Sequence, residues 1–242
     1  MAESIATEKT TPVGGPLAVD RATGELRRGV PVLLAGADGA SGLVAAAETL
    51  DDATLERLRE AGETRPFLVL TRRRAGVLGL GGSSGTTVAL GVPDDADAAA
   101  LQRLADPTAS AEPLDMARLS TASGLGTLIA AAAIELAKLA RLLPAAVVAP
   151  LGAGAATDPR RRSLLGGLLG VAAPDIAAYQ NAAALSLHPV GEARVPLEGA
   201  EASRVVAFRP SDGSIEHLAI LIGTPDPAMP VLARLHSECF TG

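Results

Sequence analysis

The sequence predicts a mixed α/β (α+β) fold in two parts, an α/β domain followed by the first antiparallel strands of a second, β-rich domain. Apolar residues make up 48% of the 242 residues and aromatic residues only 2%, so small aliphatic side chains on helices and strands must fill the core. Strand-like and helix-like runs alternate up to residue 187, which is typical of α/β domains. Beyond residue 191 the runs are strand-like, with turn residues between them.

The beginning of the chain contains two strand-like runs and a capped helix. Residues 29–34 and 42–47 are short and apolar, and the intervening GADGAS has the composition of a turn. Asp51 begins an amphipathic stretch that Gly62 ends. This pattern predicts a helix over residues 51–62.

The middle of the chain contains the predicted core helix. A strand at 67–71 and an acid-capped helix at 94–105 lead to an Ala- and Leu-rich run at 127–143, with apolar residues at helical spacing. Pro144 ends that helix, and the AAVVAP that follows predicts a strand. A further helix is predicted at 175–187.

His188, Pro189 and Gly191 mark a predicted domain boundary. The predicted parts are a polar leader at 1–19, an α/β domain at 20–188 and a β-rich domain at 191–242. Four strand-like runs follow the boundary, at residues 193–197, 203–210, 217–223 and 230–238. They predict the opening of a mostly antiparallel β unit.

Composition excludes several classes of partner and site. The formal net charge is −6, which disfavours nucleic acid, because phosphate neutralisation needs clustered cations. No apolar run reaches the roughly 20 residues of a membrane span, and the first residues lack the pattern of a secretory signal. We therefore expect a cytoplasmic protein that binds neither nucleic acid nor membrane. Cys239 is the single cysteine, which rules out an intrachain disulfide.

Two kinds of local motif are expected to have structural roles rather than to bind a ligand. The arginine triplets at 72–74 and 160–162 are expected to be solvated loop or helix edges rather than phosphate sites. The glycine-rich stretches at 79–85 and 152–157 lack the Lys-Ser/Thr of a nucleotide-binding loop. We expect both stretches to be turns.

The densest group of reactive side chains lies at the end of the last strand-like run. Within PVLARLHSECFTG, five such residues fall within six positions: Arg234, His236, Ser237, Glu238 and Cys239. A strand with a purely structural role would not contain so many reactive side chains in so few positions. A lone cysteine is usually a buried, inert thiol, but these neighbours favour a functional one.

This segment resembles the Arg-x-His-Ser-Glu-Cys-x-Thr-Gly motif of GTP cyclohydrolase II, and RVVAFRPSDGSIEHLAILIG resembles the opening hairpin of the same family. The resemblance implies a zinc-dependent hydrolase of riboflavin biosynthesis, which opens the guanine imidazole ring of GTP and releases formate and pyrophosphate. It implies that Cys239 is the first of three cysteine ligands of the zinc. It also implies a GTP site formed in part by Arg234, Leu235, His236, Ser237 and Glu238.

The chemistry of these residue types suits that reaction. A zinc ion with three protein ligands keeps an open position, where bound water becomes hydroxide near neutral pH. A guanidinium such as that of Arg234 matches phosphate oxygens, and Mg²⁺ is expected to accompany GTP. The family's later motif, with the other two cysteines, is absent from this sequence. We therefore expect the chain to be a fragment that is inactive alone.

The first domain resembles 3,4-dihydroxy-2-butanone 4-phosphate synthase, on ELRRGVPVLLA, IELAKLARLLPAAVV and DIAAYQ. That synthase holds magnesium with an acidic loop, whereas GADGAS offers only Asp38. The family's Gly-His-Thr-Glu motif falls at residues 128–131, which read LIAA. We therefore expect a synthase-like domain without synthase activity.

The alternative interpretation is a non-catalytic, synthase-like module that dimerises or regulates. Both related families imply a homodimer. A Cys-Asp-Cys-Gly segment encoded shortly after Gly242 would favour the enzyme, and a stop codon there would favour the module.

Overall fold

The computed structural model describes residues 14–37, 39–80, 85–109, 127–152, 158–211, 215–226 and 228–236. The chain divides into two compact units, Met1–Gln180 and Asn181–Gly242, called here the first and the second unit. The domain limits predicted at residues 19, 188 and 191 stay predictions. No helix in the described part is long and apolar enough to cross a membrane.

Helices and strands alternate through the first unit, and strands dominate the second. The helices are α1 (Pro16–Arg27), α2 (Asp52–Ala61), α3 (Arg72–Val77), α4 (Ala98–Ala105), α5 (Thr127–Leu139), α6 (Pro159–Leu165) and α7 (Ala173–Leu185). The strands are β1 (Val32–Ala35), β2 (Ser41–Ala46), β3 (Phe67–Thr71), β4 (Thr87–Gly91), β5 (Ala145–Leu151), β6 (Gly170–Ala172), β7 (His188–Arg194), β8 (Ser203–Arg209) and β9 (His217–Ile222).

The first unit is built on a six-stranded sheet in the order β4-β3-β5-β2-β1-β6. Neighbouring strands are antiparallel except β1 and β6, which are parallel. The pairing of β2 with β5 runs from Ser41 opposite Leu151 to Ala46 opposite Ala146. Most residues of these two strands are buried. This burial on both faces explains why the two strands are continuous apolar runs in the sequence.

Helices cover both faces of this sheet. On one face α2 and α4 pack through residues such as Leu58 and Leu101. On the other face α1 and α5 pack through residues such as Leu26 and Leu136. The result is a three-layer α/β/α arrangement. Alanine fills much of both layers, as the low aromatic content predicted.

Helix α2 is confirmed with the caps that the sequence predicted. Oδ1 of Asp51 accepts a hydrogen bond from the backbone N–H of Thr54 at 2.7 Å, which satisfies an amide without a partner inside the helix. Leu55 and Leu58 face the core. The chain leaves the helix at Gly62, so both ends were readable from local sequence.

Helix α4 begins later than predicted. The sequence placed its start at residue 94, whereas the helix begins at Ala98. Asp97 has extended backbone angles, and its carboxylate accepts a hydrogen bond from the N–H of Ala100 at 2.7 Å. Asp97 is therefore the capping residue, and residues 94–96 lie before the helix.

Helix α5 ends earlier than predicted, at Leu139 rather than residue 143. Arg141 adopts a left-handed φ of 57°, and the N–H of Leu142 donates to the carbonyl of Ala137 at 3.0 Å. This closure is typical of helix C-termini. The helix thus stops before Pro144 is reached.

The segment read as a helix stop around residue 188 is the start of strand β7. The pairing of β7 with β8 shifts register between Pro189 and Gly191. A proline and a bulge are both tolerated on an edge strand, and β7 lies at the edge of its sheet. Pro189 and Gly191 are therefore part of a strand, although residues of these types are typical of turns.

Candidate functional site

The second unit contains a three-stranded antiparallel sheet in the order β7-β8-β9. β8 pairs with β9 from Ser203 opposite Ile222 to Phe208 opposite His217. β8 also pairs with β7 on its other side. This sheet directly precedes the reactive segment, so it is the scaffold from which that segment extends.

One face of this sheet is apolar. Leu218, Ile220 and Ile222 of β9 are exposed on it, and Val205 of β8 lies opposite Ile220. Ala193 of β7 lies opposite Val205. Because successive side chains in a strand alternate between faces, these residues form one continuous apolar surface.

The opposite face carries charged side chains. Arg194 of β7 lies opposite Arg204 of β8, and Arg204 lies opposite Leu221 of β9. Nη1 of Arg204 contacts Oε1 of Glu192 at 2.9 Å, whereas the side chain of Arg194 makes no hydrogen bond or ion pair with the described residues. These two arginines could not be singled out from the sequence, because only the strand register shows that they are side by side.

Residues 228–236 leave β9 through a turn and join no strand. The N–H of Met229 donates to the carbonyl of Asp226 at 3.1 Å. The N–H of Ala228 donates to Oδ1 of Asp226 at 2.9 Å. These two bonds reverse the chain direction. The strand predicted at 230–238 is therefore wrong for residues 230–236, which have the apolar pattern of a strand but are not part of any strand.

The predicted GTP contacts lie in residues 228–236 or beyond them. Arg234, Leu235 and His236 are exposed, with Leu235 fully accessible at 101%. Arg234, Leu235 and His236 lie together because they are consecutive in the chain. Ser237, Glu238 and Cys239 lie outside the described residues, and their predicted roles stay predictions.

The residues that the structure describes do not form a zinc site. The described residues contain no group of three His, Cys, Asp or Glu side chains that could hold a metal ion. The chain has one cysteine, Cys239, and zinc sites take three or four protein ligands. A single thiolate is a suitable zinc ligand, but it does not complete such a set.

In the first unit, residues at which the synthase motif was expected take part in hydrophobic packing. Ile129 and Ala130, in the first turn of α5, are buried, with Ile129 at 1% exposure. A Cβ built at Gly42 would lie 3.0 Å from Cγ1 of Val148 and 3.8 Å from Cγ2 of Ile129. Helix α5 therefore packs directly onto β2 and β5. Asp38, the carboxylate of the preceding loop, lies outside the described residues.

The two arginine triplets lie in helices α3 and α6. Arg72, Arg73 and Arg160 are exposed, in agreement with the expectation of solvated helix edges. Arg74 departs from it, because Nε of Arg74 donates to the carbonyl of Leu104 at 2.7 Å. Residues 81–84 and 153–157 of the glycine-rich stretches lie outside the described residues, so those turns stay predictions.

Comparison with known families supports the assignment of the second unit. Residues 188–242 match the GTP cyclohydrolase II family. The matched region contains strands β7 to β9 and the reactive segment. The resemblance that the motif indicated is thereby confirmed.

Similar proteins extend this likeness over most of the chain. The chain is 46% identical over 230 residues to a GTP cyclohydrolase-2 of Azospirillum brasilense, covering 93% of this chain and 58% of that protein. It is 33% identical over 227 residues to a GTP cyclohydrolase-2 of Xylella fastidiosa (strain Temecula1), covering 92% and 52%. A riboflavin biosynthesis protein RibBA of Salinispora arenicola is 34% identical over 116 residues, covering 46% and 27%. The chain thus spans between half and three fifths of the length of the two cyclohydrolases.

Solved structures confirm the predicted fold class. RibBX, a two domain 3,4-dihydroxy-2-butanone 4-phosphate synthase from A. baumannii, matches with a TM-score of 0.51 and 17% identity, over 85% of this chain and 70% of that one. A cation free form of a 3,4-dihydroxy-2-butanone 4-phosphate synthase matches with a TM-score of 0.50 and 18% identity, over 67% and 96%. At these identities the likeness concerns the fold alone.

Proposed function

We propose that this chain works as part of a GTP cyclohydrolase II, which opens the imidazole ring of guanine in GTP and releases formate and pyrophosphate in riboflavin biosynthesis. The observation that carries the proposal is the family match over residues 188–242, which includes RLHSEC at 234–239. Two relatives that align over more than nine tenths of this chain are also named GTP cyclohydrolase-2.

The proposed roles of the segment follow from its chemistry and its exposure. Arg234 would donate to phosphate oxygens, because its planar guanidinium forms paired, charge-assisted hydrogen bonds with them. Its exposure leaves the side chain accessible to a ligand. The remaining proposed contacts to GTP, which Mg²⁺ would accompany, come from Leu235, His236, Ser237 and Glu238.

Zinc belongs to the proposal for the complete enzyme. Cys239 would be one of its three cysteine ligands, and the other two are not among the residues of this chain. A zinc ion so held supplies, when bound, an acidified water for hydrolysis. Because a single cysteine does not complete a set of three cysteine ligands, no catalytic step is proposed for this chain in isolation. The proposed setting of the enzyme is a homodimer in the cytoplasm.

The first unit would serve packing, dimerisation or regulation of the cyclohydrolase rather than synthesis. The observation that favours this role is the burial of Ile129 and Ala130 where the synthase motif has polar residues. A buried polar group without a partner is costly, so this packing suits stability and not ligand binding. Turnover of ribulose 5-phosphate with Mg²⁺ by this chain would contradict the role.

The test of the main proposal compares this chain with a chimera in which Gly242 is followed by the remaining sequence of the Azospirillum relative. Formate release from GTP and bound zinc are measured for both, with the relative itself as the positive control. We expect both signals in the chimera and neither in this chain. Cys239→Ser in the chimera is expected to abolish both.

The opposite result would favour the non-catalytic interpretation. Circular dichroism and thermal unfolding first establish that the chimera is folded. A folded chimera that binds zinc no better than its Cys239→Ser variant and releases no formate would refute the cyclohydrolase proposal.

A further inference from the structure

Strand β4 lies at one edge of the six-stranded sheet of the first unit. Within the described residues β4 pairs with β3 alone. The N–H of Arg72 donates to the carbonyl of Thr86 at 2.9 Å, and the N–H of Val92 donates to the carbonyl of Pro66 at 2.9 Å. These bonds lie at the two ends of the β3–β4 ladder. The even-numbered residues of β4 therefore bond to β3, and the odd-numbered residues point their N–H and C=O groups away from it.

Three residues present backbone groups at this outer edge: Thr87, Ala89 and Gly91. Their outward N–H and C=O groups have no hydrogen-bond partner in the part of the chain that the structure describes. A row of such groups is a template for pairing with another strand. The edge of β4 thus offers three donors and three acceptors.

Strand β4 lacks the features that commonly protect an edge. Natural edge strands avoid pairing with other chains through charged side chains, proline or a bulge. The residues of β4 are TVALG, and their register with β3 is regular from Thr87 opposite Thr71 to Gly91 opposite Phe67. The three outward residues are small and half-buried. A second strand can therefore approach this edge closely.

The two ends of β4 carry opposite charges. Arg72 and Arg73 are exposed at the start of α3, beside the end at which the chain enters β4. Asp94 and Asp95 are exposed just after the other end. Arg65 pairs with Asp94 at 2.6 Å, so Asp95 leaves this end negative. Antiparallel pairing of two copies of β4 would bring the basic end of each copy to the acidic end of the other.

We propose that β4 pairs with β4 of a second copy of this chain in antiparallel orientation, with Ala89 of one copy opposite Ala89 of the other. This register places Thr87 opposite Gly91 of the second copy, so that all three outward residues exchange two hydrogen bonds with their partners. A shift by two residues in either direction leaves only two such pairs within the strand. The pairing supplies the surface of the homodimer named in the proposed function, and in that respect it rests on that proposal.

The same register suits the side chains. Val88 of one copy would lie opposite Leu90 of the other, and both residues belong to the core cluster under α2 and α4. Apolar pairs directly opposite each other stabilise antiparallel strands. On the other face the opposed residues are alanine with alanine and threonine with glycine, which leaves room for the two backbones. A twofold pair of this kind is closed, because it uses the same edge of both copies.

Disulfide formation tests the register without any assay of activity. In a Cys239→Ser background, Ala89→Cys places two thiols opposite each other, with Cα atoms about 5.5 Å apart, a separation that a disulfide spans. Thr87→Cys is the control, because its two copies would be four residues, about 14 Å, apart along the strands. We expect a disulfide-linked dimer of the first variant after mild oxidation and none of the control. Equal cross-linking of the two variants, or none in either, overturns the pairing.

The mass in solution tests the edge itself. Light scattering during size-exclusion chromatography is expected to give twice the mass of one chain. Ala89→Pro removes an N–H that points away from β3, at a position where an edge strand tolerates proline. We expect the dissociation constant of its dimer to rise about tenfold or more, because two hydrogen bonds lose their donors.

Thermal unfolding establishes whether Ala89→Pro is folded. An unsubstituted chain that is monomeric at all concentrations overturns the pairing. A folded Ala89→Pro variant that dimerises with unchanged affinity also overturns it, because the dimer would then use another surface.

Charge exchange gives a further test that leaves the strand intact. Arg72→Glu is expected to weaken the dimer about threefold, and glutamate in the first turn is compatible with helix α3. Asp94→Arg is expected to act similarly, and the double variant is expected to restore the dimer. Arg21→Glu, at an exposed position of α1, is the matched control and leaves the affinity unchanged. Additive weakening in the double variant overturns the proposed register.

The two proposals fail differently. If Ala89→Cys cross-links as expected but the extended chimera releases no formate from GTP, the β4 pairing stands and the cyclohydrolase proposal falls. If the chimera is active and neither cysteine variant cross-links, the β4 pairing falls and the cyclohydrolase proposal stands.

Discussion

The Nε of Arg74 donates a hydrogen bond to the carbonyl oxygen of Leu104 at 2.7 Å, and this bond joins α3 to the last turn of α4. Nη2 of Arg74 adds a second bond, to the carbonyl of Asp106 at 2.7 Å. We expect Arg74→Gln to lower the free energy of unfolding by about 1–3 kcal/mol, because carbonyls at the helix end lose a charged donor. Urea unfolding measures the loss. Arg73→Gln, at an exposed neighbouring position, is the control, and an equal loss there would contradict the capping role.

Gly62 is required by the backbone around it. A Cβ at this position would lie 2.6 Å from the carbonyl oxygen of Thr64 and 3.3 Å from that of Leu58, so Gly62→Ala forces the chain after α2 to move. We expect a loss of about 1–3 kcal/mol in the free energy of unfolding. Gly76→Ala in α3 is the control, since a Cβ there meets nothing within 4 Å. Alanine is a better helix former than glycine, so that variant is expected to be as stable as the parent or more so.

Asp51 contributes to the loss of folding stability at acid pH. Hydrogen bonds from the side chain and the backbone N–H of Thr54 lower the pKa of Asp51 below its usual 3.8. A carboxylate whose pKa is lower in the folded state stabilises the fold above its unfolded pKa, and this stabilisation is lost as the pH falls through the folded pKa. Asp51→Asn keeps an acceptor at the cap without titrating there. We therefore expect its melting temperature to fall less than that of the parent between neutral pH and pH about 2.5.

A second variant separates the cap from its charge. Asp51→Ala removes the acceptor and is expected to cost about 1 kcal/mol at neutral pH. Thermal unfolding across the pH range checks both variants. If Asp51→Asn retained the full acid sensitivity of the parent, the contribution assigned to this carboxylate would be absent.

Helices and strands whose ends are marked by nearby residues were predictable from the sequence. Strands that depend on pairing with a distant part of the chain were not. Helix α2 has a capping residue, helical spacing and a stop within one stretch, and it lies where predicted. Strand β6 has three residues and exists through its parallel pairing with β1, a partner far away in the sequence. Residues 188–192 of β7 escaped prediction because Pro189 and Gly191 are turn residues that an edge strand with a bulge accommodates.

The candidate site was predictable in its residue types but not in its placement. Arg234, His236 and Cys239 drew attention by their density within a short motif. Alternation also predicted a strand around Arg234, whereas pairing requires a partner edge that a single sequence does not identify. The neighbouring positions of Arg194 and Arg204 depend on the β7–β8 register, which has no local signal.

The first turn of α5 provides a test of the idea that core packing has replaced a ligand site in the first unit. Ile129 is buried at 1% exposure between α5 and the sheet. We expect Ile129→Ala to lower the free energy of unfolding by about 2–5 kcal/mol, through lost burial and the cavity left behind. Urea unfolding measures this loss. Leu17→Ala on α1, where the side chain is 51% exposed, is the control and should cost much less.

Ile129→His separates packing from a latent site at the same position, where the synthase motif has histidine. If the surroundings are core alone, the imidazole is buried without a partner, stability falls, and Mg²⁺ does not raise the melting temperature. If the surroundings retain a synthase-like pocket, the variant gains stabilisation by Mg²⁺ together with ribulose 5-phosphate, because a ligand that binds only the folded state raises its stability. We expect the first result, since Ile129 and Val148 are buried in the same hydrophobic cluster and a Cβ built at Gly42 would already lie 3.8 Å from Cγ2 of Ile129.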